Sequence, residues 1–216
     1  MNIKIIEKPD WISWDDIHNL LMEAHKINIE KGIIMRNPMM PGDKIRRKLG
    51  SEGRCWVALD GEKLVGTSSV YFFEGKNWWN KGKNVANGCF TGILRSYQGI
   101  GIKEDFDAEL VKYVKEHGVD MIQADTAENN TIMRKRWELS GCKIVAFYAP
   151  PSKHYSVISV YWLSKCPFSD KYINRRFKIS EKLTKWQYKP GKIERSQLVS
   201  FLCRNANRLV KYYYGD

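Results

Sequence analysis

Long apolar stretches are missing from this chain. Nowhere in its 216 residues do about 18 uncharged apolar residues follow one another, so no membrane-spanning helix is expected. The opening residues Met1 to Lys8 alternate and carry Lys and Glu, without the apolar centre of a signal peptide; a cytoplasmic location is the resulting expectation. Cysteine pairs at CxxC spacing are absent too. Cys55, Cys89, Cys142, Cys166 and Cys203 are odd in number and widely spread, which argues against a disulfide framework or a zinc site and for buried free thiols. Histidine is scarce: only His18 and His25 share a helix face, with no third ligand near them, so no metal is expected. The GxxxxGK[ST] phosphate loop and the full GxGxxG dinucleotide fingerprint are both missing. No internal repeat or low-complexity segment is present.

What remains is a chain that can bury a core. Hydrophobic residues make up 43% of it, enough for one sizeable α/β domain with or without an appendage. Its net charge of +12 is uneven, because residues 165–216 hold 13 Lys/Arg against 4 Asp/Glu. Such a balance attracts nucleic acid, an anionic membrane surface or a phosphorylated small molecule, and does not choose among them.

Ile3 and Ile5 mark a first short strand. Ser13 is placed to cap a helix starting near Trp14, with Asp15 and Asp16 in its first turn and Ile17, Leu20, Leu21, Ala24 and Ile27 at helical spacing up to a stop at Gly32. A loop at Asn37–Asp43 leads to a short basic helix ending at Leu49. Cys55–Leu59, the Asp60-Gly61 turn and Leu64–Phe73 read as a hairpin. A loop with an unusual Trp78-Trp79 pair follows, then a strand over Val85–Leu94. From there the pattern is glycine turn, helix through Phe106, Leu110, Val111 and Val114, strand from Met121 to Ala124, helix from Asn129 or Asn130 to Gly141, strand Cys142–Ala149, a Pro150-Pro151 break and strand Tyr155–Leu163. Past Ser164 the chain turns basic, and an amphipathic helix is expected over Arg195–Tyr212. The expected organisation is a main domain at 1–164 and a basic C-terminal extension at 165–216, helical in part.

Gln98-Gly99-Ile100-Gly101-Ile102 lies between a strand and a helix. Glycines there let the backbone turn sharply and approach a ligand, and the unpaired N–H groups of the helix start attract a phosphate-like anion. Together with the element order, this segment resembles the GCN5-related N-acetyltransferase (GNAT) superfamily over roughly residues 1–164. Tyr97-Gln98-Gly99-Ile100-Gly101-Ile102 looks like the family's pyrophosphate loop, Q/R-x-x-G-x-G/A, with Gln98 first, Gly101 fourth and Lys103 where the family has Gly or Ala. A Lys there either crowds the cofactor or swings out to pair with a phosphate. The run Asn130 to Cys142 is similar to the family's later motif. Trp137 stands for its frequent Tyr and Cys142 for its Phe; an indole cannot protonate a departing thiolate, so Trp137 reads as a packing residue.

The resemblance implies a mixed, mostly antiparallel central sheet flanked by helices, with the C-terminal segment as an appendage. It implies acetyl-coenzyme A as acyl donor, bound by Ile93, Leu94, Gln98, Gly99, Ile100, Gly101, Ile102, Lys103 and Asn130, and a small-molecule amine as acceptor. The acyl chain would lie between the strands ending at Leu94 and Thr126, and direct attack in a ternary complex would need no covalent nucleophile. Asp125 is the candidate base, Glu128 a second, with helix capping as the plainer role of either. Tyr148 is the candidate acid, with a core position as its plainer reading. Cys89 reads as a core thiol. The acceptor pocket would draw on Met35–Asp43, Trp78-Trp79 and His154-Tyr155, whose aromatic faces suit an amino sugar.

Two rivals stand beside this reading. Lys103 and Trp137 fit a coenzyme A-binding module without catalysis. Lys171, Arg175, Arg176, Lys178, Lys182 and Lys185, interleaved with Tyr172, Phe177 and Trp186, offer charge and stacking to nucleic acid, though no recognition signature accompanies them and a solvated surface is the simpler account. The sequence leaves a homodimer open.

Overall fold

The computed structural model describes residues 2–31, 40–149 and 155–187. The expected helix over 195–212, the Gly32 stop, most of the 35–43 loop, the Pro150-Pro151 break and His154 lie outside the described residues. Seven strands form one sheet in the order β1-β2-β3-β4-β5-β7-β6: β1 Ile3–Glu7, β2 Arg54–Asp60, β3 Lys63–Glu74, β4 Asn84–Ile93, β5 Met121–Ala127, β6 Lys143–Tyr148 and β7 Ser156–Trp162. Every neighbouring pair is antiparallel except β4 and β5. The helices are α1 Trp14–Glu30, α2 Gly42–Leu49, α3 Ile102–Glu116, α4 Thr131–Leu139 and α5 Asp170–Gln187. Among the described residues, no helix is long and apolar enough to cross a membrane.

Local chemistry sets the helix that covers the first face. Ser13 Oγ accepts from Asp16 N–H at 3.0 Å while Asp16 Oδ2 accepts from Ser13 N–H at 2.8 Å, a reciprocal cap that satisfies two orphan donors of α1. The cap holds the Asp16 carboxyl below its ordinary range. Ile17 and Leu21 of α1, with Ile45 and Leu49 of α2, then pack on Cys55, Val57, Leu59, Cys89 and Phe90. On the opposite face Ile102, Phe106, Leu110 and Val114 of α3 pack on Trp56, Ala58, Val65, Val70 and Ala86. Burying each of these larger side chains contributes about 1.5–3 kcal/mol, so the two helical layers fix which way each strand faces.

The basic segment begins as a helix laid on the sheet margin. Ile173 of α5 is 2% exposed, in a cluster with Val145, Ala146, Ile158 and Val160. β6 is the last strand of its edge, and α5 supplies partners for it. Phe147 N–H donates to Ser180 Oγ and Thr184 Oγ1 donates to Phe147 C=O, both at 3.1 Å. Ser180 and Thr184 are one helical turn apart, so a single face of α5 meets both groups.

Candidate active site

β4 and β5 are paired only over three positions, Val85–Met121, Ala86–Ile122 and Asn87–Gln123. Beyond Asn87 and Gln123 they part, and a gap opens between Gly88–Ile93 and Ala124–Ala127. β4 also carries an extra residue there: Thr67 faces Gly92 but Ser69 faces Cys89, three steps on β4 against two on β3. The bulge is at Phe90, the only non-glycine with positive φ (49°) among the described residues. His25 of α1 braces it, its Nε2–H donating to Thr91 C=O at 2.8 Å. His18 similarly donates from Nδ1 to Met40 C=O, so these two histidines do not converge.

Past the bulge the ladder alternates. Leu94 N–H donates to Val65 C=O at 2.9 Å, which places Leu94 opposite β3 and turns the N–H and C=O of Ile93 toward the gap. Gln98 Nε2 donates to that Ile93 carbonyl at 2.9 Å, tying the glycine loop to the strand. Leu94, expected to offer its backbone to a cofactor arm, donates its N–H to Val65 C=O and accepts at its C=O from Tyr97 N–H.

The loop itself turns through two left-handed glycines, Gly99 at φ 82° and Gly101 at φ 95°. A Cβ at either would meet nothing within 4 Å, so the loop surface is open. Gly101 is the N-cap of α3 and no side chain caps it. The first amides of α3 therefore have no intrahelical acceptor and face outward beside Ile93. Lys103 pairs with Asp107 one turn along α3, so its side chain lies along the helix instead of across the loop.

Asn130 caps α4, as its position suggested: Oδ1 accepts from Met133 N–H at 3.3 Å and Nδ2 donates to Thr126 Oγ1 at 3.0 Å. One of its two Nδ2–H groups is left for another acceptor. Asp125 and Tyr148 come together although 23 residues apart. Asp125 faces Ile158 and Tyr148 faces Ser156 across β7, so both project on the α1 side, and Tyr148 Oη donates to Asp125 Oδ2 at 3.0 Å. Glu128 belongs to the loop after β5, its N–H donating to Tyr155 C=O. Cys89 is 5% exposed, and burial pushes its thiol far above the ordinary range, so it is a neutral core group. Trp137 is half-buried on α4, and its carbonyl accepts from Cys142 N–H.

The Trp78-Trp79 pair approaches the gap from the paired end of β4 and β5. It sits in the loop before β4, at the strand end opposite the glycine turn, where Trp79 Nε1 donates to Gln123 Oε1 and Trp78 packs edge-on against Phe168 and Tyr172. Two contacts were not visible in the sequence: that of His25 with Thr91, 66 residues away, and that of Lys48 on α2, whose ammonium lies 5.3 Å from the Tyr71 ring centroid and 5.8 Å from that of Phe90.

Three solved structures share this fold. A GNAT family acetyltransferase from Elizabethkingia anophelis with acetyl-CoA bound is 12% identical, with 75% of this chain and 99% of that one covered at a TM-score of 0.54. An acetyltransferase of the GNAT family from Staphylococcus aureus is 16% identical over 76% of this chain and 100% of that one, TM-score 0.58. A Bacillus subtilis acetyltransferase in complex with CoA is 14% identical over 76% and 100%, TM-score 0.53. At these identities the likeness is one of fold. No curated protein matches the sequence. The family model "Acetyltransferase (GNAT) family" matches residues 14–141, from the capped start of α1 to the glycine that ends α4, and the chain belongs to that family.

Proposed function

We propose that the protein transfers an acetyl group from acetyl-coenzyme A to the amine of a small molecule, an amino sugar being one such acceptor, by direct attack in a ternary complex. The observation that carries this is the coincidence of three features at one sheet end: the gap between β4 and β5, the Ile93 N–H turned into it, and the uncapped start of α3 beside it. When bound, acetyl-coenzyme A supplies an activated thioester. The amides from Gly99 to Lys103 hold its diphosphate, with the helix dipole adding to the attraction. Ile93 N–H and the remaining Asn130 N–H fix the arm that runs between the strands. The neutral Cys89 thiol takes no part.

Asp125 and Tyr148 act as one unit. Two protons leave the acceptor ammonium as the new C–N bond forms and the C–S bond breaks. Asp125 takes one from nitrogen, Tyr148 gives its own to the departing sulfur, and their hydrogen bond passes the proton from Asp125 back to the phenolate. The second proton goes to water. Titration of acetyl-coenzyme A into the protein by calorimetry, followed by thiol release with a panel of primary amines, tests the reading. Saturable binding and amine-dependent thiol release are expected. Absence of binding would remove the reading altogether, and binding without release by any amine would leave the non-catalytic module.

A further inference from the structure

Lys48 is the member of the Arg46, Arg47, Lys48 run that does not go out to solvent. Arg46 and Arg47 are exposed, and Arg47 pairs with Asp43 at 2.5 Å, whereas Lys48 is half-buried with its ammonium over the rings of Tyr71 and Phe90. That position brings its charge to the bulge of β4, one bank of the gap. The other bank carries the opposite charge. Asn87 and Gln123 are the last paired residues, so by strand alternation the next positions on the same face are Cys89 on β4 and Asp125 on β5. Cys89 feels both charges, Lys48 favouring its thiolate and Asp125 opposing it.

We propose that the acceptor carries an anionic group beside its amine, with Lys48 receiving the anion and Asp125 the ammonium. The proposal rests on the acetyl-transfer reading above. A lysine ammonium is a point charge that serves a carboxylate or a phosphate alike, so amino acids and amino sugar phosphates share the required chemistry. A polyamine does not: its second cation would meet Lys48. A neutral amine gains nothing from Lys48.

Thiol release from acetyl-coenzyme A is measured with matched pairs: a mixture of L-amino acids against the corresponding L-amino acid amides, and an amino sugar phosphate against the free amino sugar. The anionic member of at least one pair is expected to have a kcat/KM about tenfold or more above its neutral partner, the pair identifying carboxylate or phosphate. Lys48→Met, which keeps the apolar stem, is expected to abolish that preference, with acetyl-coenzyme A binding by calorimetry reporting that the variant is folded. Equal or better turnover of the neutral members, no turnover of any anionic amine, or a preference that survives Lys48→Met overturns the proposal. Each of those outcomes leaves acetyl-coenzyme A binding in place, whereas loss of binding in the unaltered protein sinks the acetyl-transfer reading itself.

Discussion

Tyr148 donates its phenolic hydrogen to Asp125 across an intervening strand, at 3.0 Å, linking β5 to β6 through two groups able to move a proton. If the two work as a relay, removing either breaks one pathway. Asp125→Asn is expected to lower kcat by about 100-fold and Tyr148→Phe by about tenfold, with acetyl-coenzyme A affinity unchanged. The double variant should be no slower than Asp125→Asn alone. Additive losses in steady-state kinetics would mean independent roles.

His25 gives a pH prediction. Burial lowers its pKa below the ordinary 6.5, outweighing the bond to Thr91 that favours the charged ring, and its Nδ1 is buried with no hydrogen-bond partner. The unfolded chain therefore binds this proton more readily than the folded one. Stability is present above pH 6.5 and falls as pH drops below it, toward the folded pKa. The melting temperature should decline between pH 7.5 and pH 5.5. His25→Gln, which keeps a donor for the Thr91 carbonyl, should flatten that decline.

Gly101→Ala separates backbone strain from site geometry. Its Cβ would meet no atom within 4 Å, so the cost is that of holding alanine at φ 95°, about 1–2 kcal/mol. Gly118, at φ 61° past the other end of α3 and equally open, is the control. Both alanine variants should lose comparable stability to denaturant. Only Gly101→Ala should weaken acetyl-coenzyme A binding, by about tenfold in calorimetry, since it disturbs the amides at the start of the helix.

Cys89 tests the absence of an acyl-enzyme. Its thiol is neutral in the folded protein, and so is that of Cys142, pushed up to about 11 mainly by burial. Cys89→Ala should keep most of the turnover, with any loss matched by lower stability, and no acetylated protein should be seen by mass spectrometry after mixing with acetyl-coenzyme A alone.

α5 is expected to contribute to the stability of the whole sheet. Ile173→Ala removes a side chain that is 2% exposed and should cost about 2–5 kcal/mol in urea unfolding. Ser180→Ala leaves Phe147 N–H without its partner and should cost about 1–3 kcal/mol.

Most of the strands and helices were legible because each signal is local. Ser13 followed by Asp16 announces a cap, Asp60-Gly61 a hairpin, and Gly99 with Gly101 a turn into a helix. Gln98, Gly101 and Asn130 could be placed by motif, and Asp125 and Tyr148 by strand position. The rest depends on distance. The place of Trp78-Trp79 depends on topology: a hairpin loop between β3 and β4 sits at the strand end opposite the turn that follows β4, and Trp79 reaches Gln123 from there. α5 was hidden because Lys and Arg interrupt its apolar residues; burial falls on Ile173, while Ile179, Leu183 and Trp186 stay exposed. His25 and Lys48 gain meaning only from what folding brings against them, Thr91 in one case and Phe90 in the other.

The extra residue at Phe90 inverts the inside-outside count of everything after it on β4. Cys89 and Phe90 both belong to the α1 layer, whereas Ile93 packs with the α3 layer. Deleting one residue between Cys89 and Gly92 would send the segment leading to Gln98 out of phase, swapping the groups aimed at β3 with those aimed at the opening. The stretch therefore tolerates exchange of side chains far better than any change in its length.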